Sequence, residues 1–146
     1  IMREILLKNE LWDIIRTITI SMDSTFGPLV KCYGLTMIQS RILVSIDKND
    51  NVNIGNISEI LEICSSNVSN MCKKLEKEGF LIRNRSHEDE RIVTLELTEK
   101  GKETLKNINE DIDKKFKPIL DSKSDKDFED IIIGMRKLNE LLRELS

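Results

Sequence analysis

The hydrophobic pattern of this chain changes its period twice, and this change limits the fold more than any other feature. Over residues 57–75 apolar side chains recur at steps of three and four, the spacing of amphipathic helices. From Phe80 to Leu97 the period becomes two, as in β-strands, and after Thr98 the helical spacing returns. The sequence therefore predicts a mainly α chain with a small β-hairpin (α+β).

The predicted hairpin has strands over residues 81–85 and 91–97, joined by a polar turn over residues 86–90. Gly79 is expected to end the helix before it, and Thr98 to cap the helix after it. Two short helices joined by a tight turn and followed by a hairpin form a winged helix-turn-helix. In that arrangement the second helix enters the major groove of DNA.

The terminal segments are predicted to form a helical dimerisation region. A first helix is expected over about residues 4–24, ended by Gly27-Pro28, and the last helix carries a continuous heptad of apolar residues. One small domain cannot cover such a stripe, so a homodimer is expected, and an intramolecular core helix is the alternative. The expected dimer-interface residues are Leu11, Ile15, Phe128, Ile131, Met135, Leu138 and Leu142.

The polar face of the second short helix carries the side chains expected to contact DNA. Its first two turns present hydroxyl and amide groups that can approach base edges, and the lysines that follow can reach phosphates. An ordinary solvated helix face is the alternative, although such faces usually mix lysine with glutamate. The expected contacts from this helix are Ser65, Ser66, Asn67, Ser69, Asn70, Lys73 and Lys74.

The hairpin and the residues after it resemble the wing of the MarR family of bacterial transcriptional regulators. The resemblance is carried by Asp89-Glu90-Arg91, by Val93 and Leu95, and by Leu97-Thr98-Glu99-Lys100-Gly101. It implies a homodimer with interdigitated terminal helices, Arg91 in the minor groove of double-stranded DNA, and Asp89 bracing the wing tip. A surface ion pair is the alternative for Asp89 and Arg91.

The chain departs from this family at three positions. Asn70 stands where many members have arginine, Glu90 where many have a second basic residue, and Cys64 where a serine usually caps the recognition helix. Ser65 is therefore expected to take over the cap. These departures concern the affinity and the operator sequence more than the basic function.

The family resemblance also implies a small aromatic or anionic effector, bound in a cleft between the dimer helices and the DNA-binding lobe. The candidate lining residues are Trp12, Phe26, Tyr33 and Phe116, for each of which core packing is the alternative.

The three cysteines and the single histidine, His87, do not fall at metal-ligand spacing, so no metal or cofactor is expected. No nucleophilic or phosphate-binding motif indicates an enzyme. Cys64 and Cys72 lie on apolar stripes and are expected to be buried. No apolar run reaches the ~20 residues that a membrane span needs, and a cytoplasmic protein with reduced thiols is expected.

The net charge of −3 argues against DNA binding only when the chain is taken as a whole. Residues 65–85 carry five basic side chains against two acidic ones, or +3, and Arg83 and Arg85 among them are further expected DNA contacts. The acidity belongs to the terminal segments and to the wing tip.

Together these observations predict a sequence-specific DNA-binding transcriptional regulator, a ligand-responsive repressor that binds a pseudo-palindromic operator as a homodimer. The expected domains are residues 1–34 for the N-terminal dimerisation helix and connection, 35–98 for the winged helix-turn-helix, and 99–146 for the C-terminal dimerisation helices. The alternative is a winged-helix protein-interaction module that does not bind DNA.

Overall fold

The computed structural model describes all 146 residues and divides them into two compact units, residues 1–109 and residues 110–146. The predicted mainly α fold with one small hairpin is confirmed. The elements in chain order are α1 (Met2–Lys31), α2 (Met37–Lys48), α3 (Ile54–Leu61), α4 (Ser65–Lys77), β1 (Leu81–Arg85), β2 (Val93–Leu97), α5 (Glu99–Leu120) and α6 (Asp125–Leu145).

Helix α1 is longer than the sequence indicates, and the prediction that Gly27-Pro28 ends it is wrong. The helix continues to Lys31, because a glycine before proline has no Cβ to clash with the proline ring. It ends where Gly34 takes a positive φ of 76° and the N–H of Leu35 donates to the carbonyl of Val30 at 3.2 Å. Val30 and Leu35 are both buried, so packing fixes this end of the helix.

The core of the first unit lies between α2, α3, α4 and the hairpin. Capping boxes start α2, where Thr36 pairs with Gln39, and α3, where Asn53 pairs with Asn56. These caps set the residue at which each helix begins. The largest fully buried side chains are Ile42, Leu43, Val52, Ile57, Val68, Cys72, Leu75 and Leu81.

The hairpin pairs β1 with β2 in an antiparallel register that runs from Leu81 opposite Leu97 to Arg85 opposite Val93. Strand β2 begins two residues later than predicted, because Asp89 draws the following residues into a turn. Its carboxylate accepts the backbone N–H of Arg91 at 3.0 Å, and its carbonyl accepts that of Ile92 at 3.0 Å. The wing tip is therefore a structured turn rather than an extension of the strand.

Helix α5 starts against the end of α4, and this contact explains the Leu-Thr-x-x-Gly pattern. The Thr98 hydroxyl accepts the N–H of Gly101 at 3.1 Å, as the predicted cap, and donates to the carbonyl of Gly79 at 2.6 Å. A Cβ on residue 101 would lie 2.2 Å from the carbonyl oxygen of Phe80. Only glycine fits this approach without a backbone shift.

The second unit contains the C-terminal half of α5 and the whole of α6. The Ser124 hydroxyl accepts the N–H of Asp127 at 3.1 Å, and the Asp127 carboxylate accepts that of Ser124 at 3.2 Å, which starts α6 with a capping box. No residue of α6 is buried. None of the helices in the chain has the length and apolar character of a membrane-spanning segment.

Candidate DNA interface

Helix α4 presents a polar face because its buried residues all lie on the other side. Val68, Cys72 and Leu75 have no accessible surface, and the face opposite to them is exposed. Of the predicted contacts on this helix, Ser69 is half-buried and the others, Ser65, Ser66, Asn67, Asn70, Lys73 and Lys74, are exposed. The structure thus brings hydroxyl and amide groups to one end of a solvent-facing surface and lysines to the other.

Cys64 is exposed, so the prediction that it is buried is wrong. Helix α3 ends at Leu61 and Glu62 adopts a left-handed conformation (φ 53°), so the helical spacing that predicted burial does not continue to residue 64. Cys64 occupies the N-cap of α4 with extended backbone and no side-chain capping bond, and Ser65 is the first helical residue rather than the cap. The Ser66 hydroxyl, 3.2 Å from the Cys64 sulfur, lowers the pKa of that thiol.

The other two cysteines lie in different surroundings. Cys72 is buried as predicted, and burial raises its pKa to about 11, which keeps the thiol protonated at neutral pH. Cys32 is exposed in the turn after α1. No group of histidine, cysteine, aspartate and glutamate side chains has the arrangement of a metal site.

Arg91 projects from the wing and is held by Asp89. Its Nε and Nη2 donate to the two carboxylate oxygens of Asp89 at 3.0 and 3.1 Å, while 91% of the side chain remains exposed. The Arg91 side chain and its backbone N–H lower the pKa of Asp89, which therefore stays ionised. The bidentate pair fixes the direction of the guanidinium without removing it from solvent.

The rest of the wing tip is ordered by local hydrogen bonds. The Ser86 hydroxyl accepts the backbone N–H groups of Glu88 at 3.2 Å and Asp89 at 3.4 Å. Nη1 of Arg85 donates to the carbonyl of Glu90 at 2.8 Å, so this second arginine lies across the base of the tip. His87 is exposed between these contacts.

A cleft of about 550 Å³ joins the wing to the start of α4. It brings together five of the predicted DNA contacts, namely Ser65, Ser66, Ser69, Arg85 and Arg91. The start of α3, with Asn53, Ile54 and Gly55, lines the same cleft. These residues are not among the DNA contacts that the sequence predicted. The signal that could have located them is the Asn53–Asn56 capping box, which marks a helix N-terminus.

Arg83 has a different environment from the other predicted DNA contacts. Its backbone N–H and its Nε donate to the Glu76 carboxylate at 2.8 and 3.1 Å, and only 23% of its side chain is exposed. The same contacts, the backbone N–H above all, lower the pKa of Glu76. Arg83 therefore fastens β1 to α4.

The candidate effector residues are spread along the chain. Trp12 is 66% exposed on α1, and Phe26 is half-buried near the end of the same helix. Tyr33 lines a groove of about 280 Å³ with Gly34, Glu78, Phe80 and Lys100. Phe116 is half-buried in the second unit.

The predicted dimer-interface residues lie on helix faces that are largely uncovered. Leu11, Ile15, Phe128 and Leu138 are half-buried, whereas Ile131, Met135 and Leu142 are exposed. The same helices expose further apolar side chains, among them Ile5, Leu6, Leu7, Ile14, Ile18, Met22 and Ile132. Each unit thus has an apolar surface that a single chain leaves in water.

The sequence matches the family model described as transcriptional regulator SarA/Rot over residues 24–108. It is 36% identical to the HTH-type transcriptional regulator SarZ of Staphylococcus epidermidis over 83 residues, which cover 57% of this chain and 55% of that protein. The match therefore spans about half the length of that relative. With SarZ of Staphylococcus haemolyticus it is 28% identical over 139 residues, covering 95% of this chain and 86% of the relative.

Solved structures share the fold. The chain of Staphylococcus aureus MarR in complex with salicylate and kanamycin superposes with a TM-score of 0.84 at 22% identity, covering 97% of this chain and 95% of that one. The chain from a Staphylococcus aureus MepR–DNA complex gives a TM-score of 0.74 at 19% identity, covering 88% and 95%. The winged-helix fold expected from the MarR resemblance is confirmed.

Proposed function

The chain belongs to the SarA/Rot family of transcriptional regulators, and we propose that it is a homodimeric repressor that binds a pseudo-palindromic operator in double-stranded DNA. The cleft between α4 and the wing carries this proposal, because it collects serine hydroxyls, two arginines and two helix N-termini on one surface. Such a set suits a phosphate backbone flanked by a major and a minor groove. A protein that binds chromosomal DNA in a bacterium works in the cytoplasm.

Helix α4 is the proposed major-groove element. Its exposed N-terminal residues carry no charge up to Cys72, so they can approach base edges without a desolvated carboxylate or ammonium group. Lys73, Lys74 and Lys77 follow on the exposed side, where they can reach phosphates. We expect them to supply affinity that does not depend on sequence and that falls with salt.

The wing is the proposed minor-groove element. Arg91 is exposed and already oriented by the bidentate contact with Asp89. A narrow minor groove has a strongly negative potential that attracts a guanidinium. Because the side chain is held before binding, little conformational entropy is lost when DNA arrives.

Homodimerisation is proposed through the apolar faces of α1 and α6. Ile131 and Met135 on α6, 55% and 61% exposed, follow the heptad spacing that a second copy would cover. Two recognition helices about 34 Å apart would then read half-sites one helical turn apart. Binding through two lobes raises the affinity of the dimer above that of either modestly charged surface alone.

A small aromatic or anionic effector is proposed to weaken DNA binding. Support comes from the solved MarR chain of the same fold, which is a complex with salicylate and kanamycin. Trp12, Phe26, Tyr33 and Phe116 remain the proposed lining residues in this chain.

The test is a fluorescence-anisotropy titration of the purified chain against the DNA upstream of its own gene, at several salt concentrations, with the molar mass measured by light scattering. We expect a dimer that binds at low salt and whose affinity falls steeply as salt rises. No binding at low salt would overturn the proposal. Capture of a protein partner that is insensitive to salt would then favour the protein-interaction module.

A further inference from the structure

The side-chain amides of Asn67 and Asn70 make no hydrogen bond within the chain, whereas those of Asn49, Asn53 and Asn56 are used in local hydrogen bonds. Oδ1 of Asn53 accepts the N–H of Asn56 at 2.7 Å, and Oδ1 of Asn56 accepts that of Asn53 at 3.0 Å. Nδ2 of Asn49 donates to a backbone carbonyl at 2.8 Å. The amides of Asn67 and Asn70 thus keep both a donor and an acceptor free.

Asn70 lies at the centre of the exposed face of α4. It is two residues from Val68 on one side and from Cys72 on the other, and both are fully buried. Each residue turns the helix by about 100°. Viewed along the helix axis, the Asn70 side chain is therefore about 160° from Val68 on one side and about 160° from Cys72 on the other. Asn67 lies one turn earlier on the neighbouring part of the same face.

Asparagine is a poor helix former, because its amide competes with the backbone for hydrogen bonds. Two asparagines in the first two turns of α4, neither of them a cap, lower helix stability without an internal bond that compensates. They differ from other unbonded helical asparagines such as Asn109 in their place on the exposed face of α4, beside Ser66 and Lys73, where a partner outside the chain can reach both amides.

We propose that Asn70, assisted by Asn67, determines the base specificity of this protein and reads an adenine in the major groove. Nδ2 of Asn70 would donate to N7 of the adenine, and Oδ1 would accept from its N6 amino group. Residues 65–72 contain no arginine or lysine to read guanine and no carboxylate to read cytosine. The inference rests on the proposed DNA binding and adds the residue and the base that give the specificity.

The experiment is a selection of bound duplexes from a randomised library at low salt, followed by sequencing, for the wild-type chain and for Asn70→Ala and Asn70→Arg. We expect the wild type to enrich adenine at one position of each half-site. Asn70→Ala should lose that preference and bind the selected sequence roughly 5- to 150-fold more weakly per half-site. Asn70→Arg should enrich guanine at the same base pair.

Asn109→Ala is the matched control, because Asn109 is an exposed asparagine on α5. It should leave both the selected sequence and the affinity unchanged. Asn70→Ala should melt no lower than the wild type, since alanine is the better helix former.

An adenine preference that survives in Asn70→Ala would overturn the inference while leaving DNA binding established. If the wild type retains DNA without any base preference, the inference is likewise overturned and DNA binding is still established. A wild-type chain that retains no duplex would overturn this inference and the proposed function together.

Discussion

The chain contains two arginine–carboxylate pairs in the same hairpin region, and they differ in exposure. At the wing tip, Arg91 is bound by Asp89 through two side-chain contacts and stays 91% exposed. At the base of the hairpin, Arg83 is bound by Glu76 with only 23% and 35% of the two side chains exposed. Similar chemistry therefore serves two purposes: the first pair orients a cation toward solvent, and the second attaches a strand to a helix.

This difference shows that a count of basic residues does not tell which arginine side chains are exposed. The carboxylate of Glu76 also accepts the backbone N–H of Arg83 at 2.8 Å, so that pair is part of the hairpin attachment. Asp89 leaves the far side of the Arg91 guanidinium open. Substitutions at Arg91, Glu76 and Asp89 separate the two purposes when DNA affinity and folding stability are measured on the same variants.

Arg91→Ala has the largest expected effect, and the effect concerns DNA binding. Loss of an oriented arginine contact costs about 1–3 kcal/mol, and a dimer loses it at both wings, so affinity should fall roughly 30-fold or more. The melting temperature should not change, because the side chain packs against nothing in the core. Anisotropy titration and thermal unfolding measure the two quantities. Wild-type affinity in this variant would refute the role of the wing.

Glu76→Ala should have the opposite pattern. It removes two part-buried hydrogen bonds that Arg83 donates to the carboxylate and should lower the free energy of unfolding by about 1–3 kcal/mol. Chemical denaturation checks this, with Glu78→Ala, two residues further along the chain, as the control. Equal stability of the two variants would mean that the pair does not hold the hairpin to α4.

The contrast also shows what can be read from the sequence. Asp89 and Arg91 are two residues apart in a local turn, and the motif alone predicted their association. Glu76 and Arg83 are seven residues apart with a helix end between them, so the sequence could not show that α4 holds Arg83. The DNA contact expected of Arg83 stays a prediction. The order of elements was predictable because hydrophobic period is a local property.

Two further differences between prediction and structure concern Cys64 and the end of α1. The burial predicted for Cys64 assumed that helical spacing continues past Glu62, whose left-handed backbone ends it. The end predicted for α1 relied on Pro28, whereas the buried residues at the end of the helix decide it. Sequence patterns fail where tertiary packing or one unusual backbone conformation sets the boundary.

Asp89→Ala should have an intermediate effect, chiefly on specificity. Arg91 keeps its charge but loses its orientation, so preference for the operator over random duplex should fall roughly 2- to 10-fold at each wing. The dependence of affinity on salt should not weaken, because no cation is removed. Competition titrations with operator and random DNA test this. An unchanged preference would indicate that Asp89 has no orienting role.

The smallest expected effect is a pH dependence at the base of the hairpin. Contacts with Arg83 lower the pKa of Glu76 below its usual 4.5, so the unfolded chain takes up the proton first as pH falls. The carboxylate's contribution to the free energy of unfolding is therefore complete above pH 4.5 and is lost as pH falls through the lowered pKa of the folded state.

The gap in free energy of unfolding between the wild type and Glu76→Gln should stay constant from pH 7 to about pH 5. It should then shrink by less than about 1 kcal/mol, because the partly exposed pair is screened by solvent. Denaturation at each pH measures the gap. If it persists undiminished at the lowest pH at which the chain folds, the hairpin is held by hydrogen-bond geometry alone, and the charge of Glu76 contributes nothing.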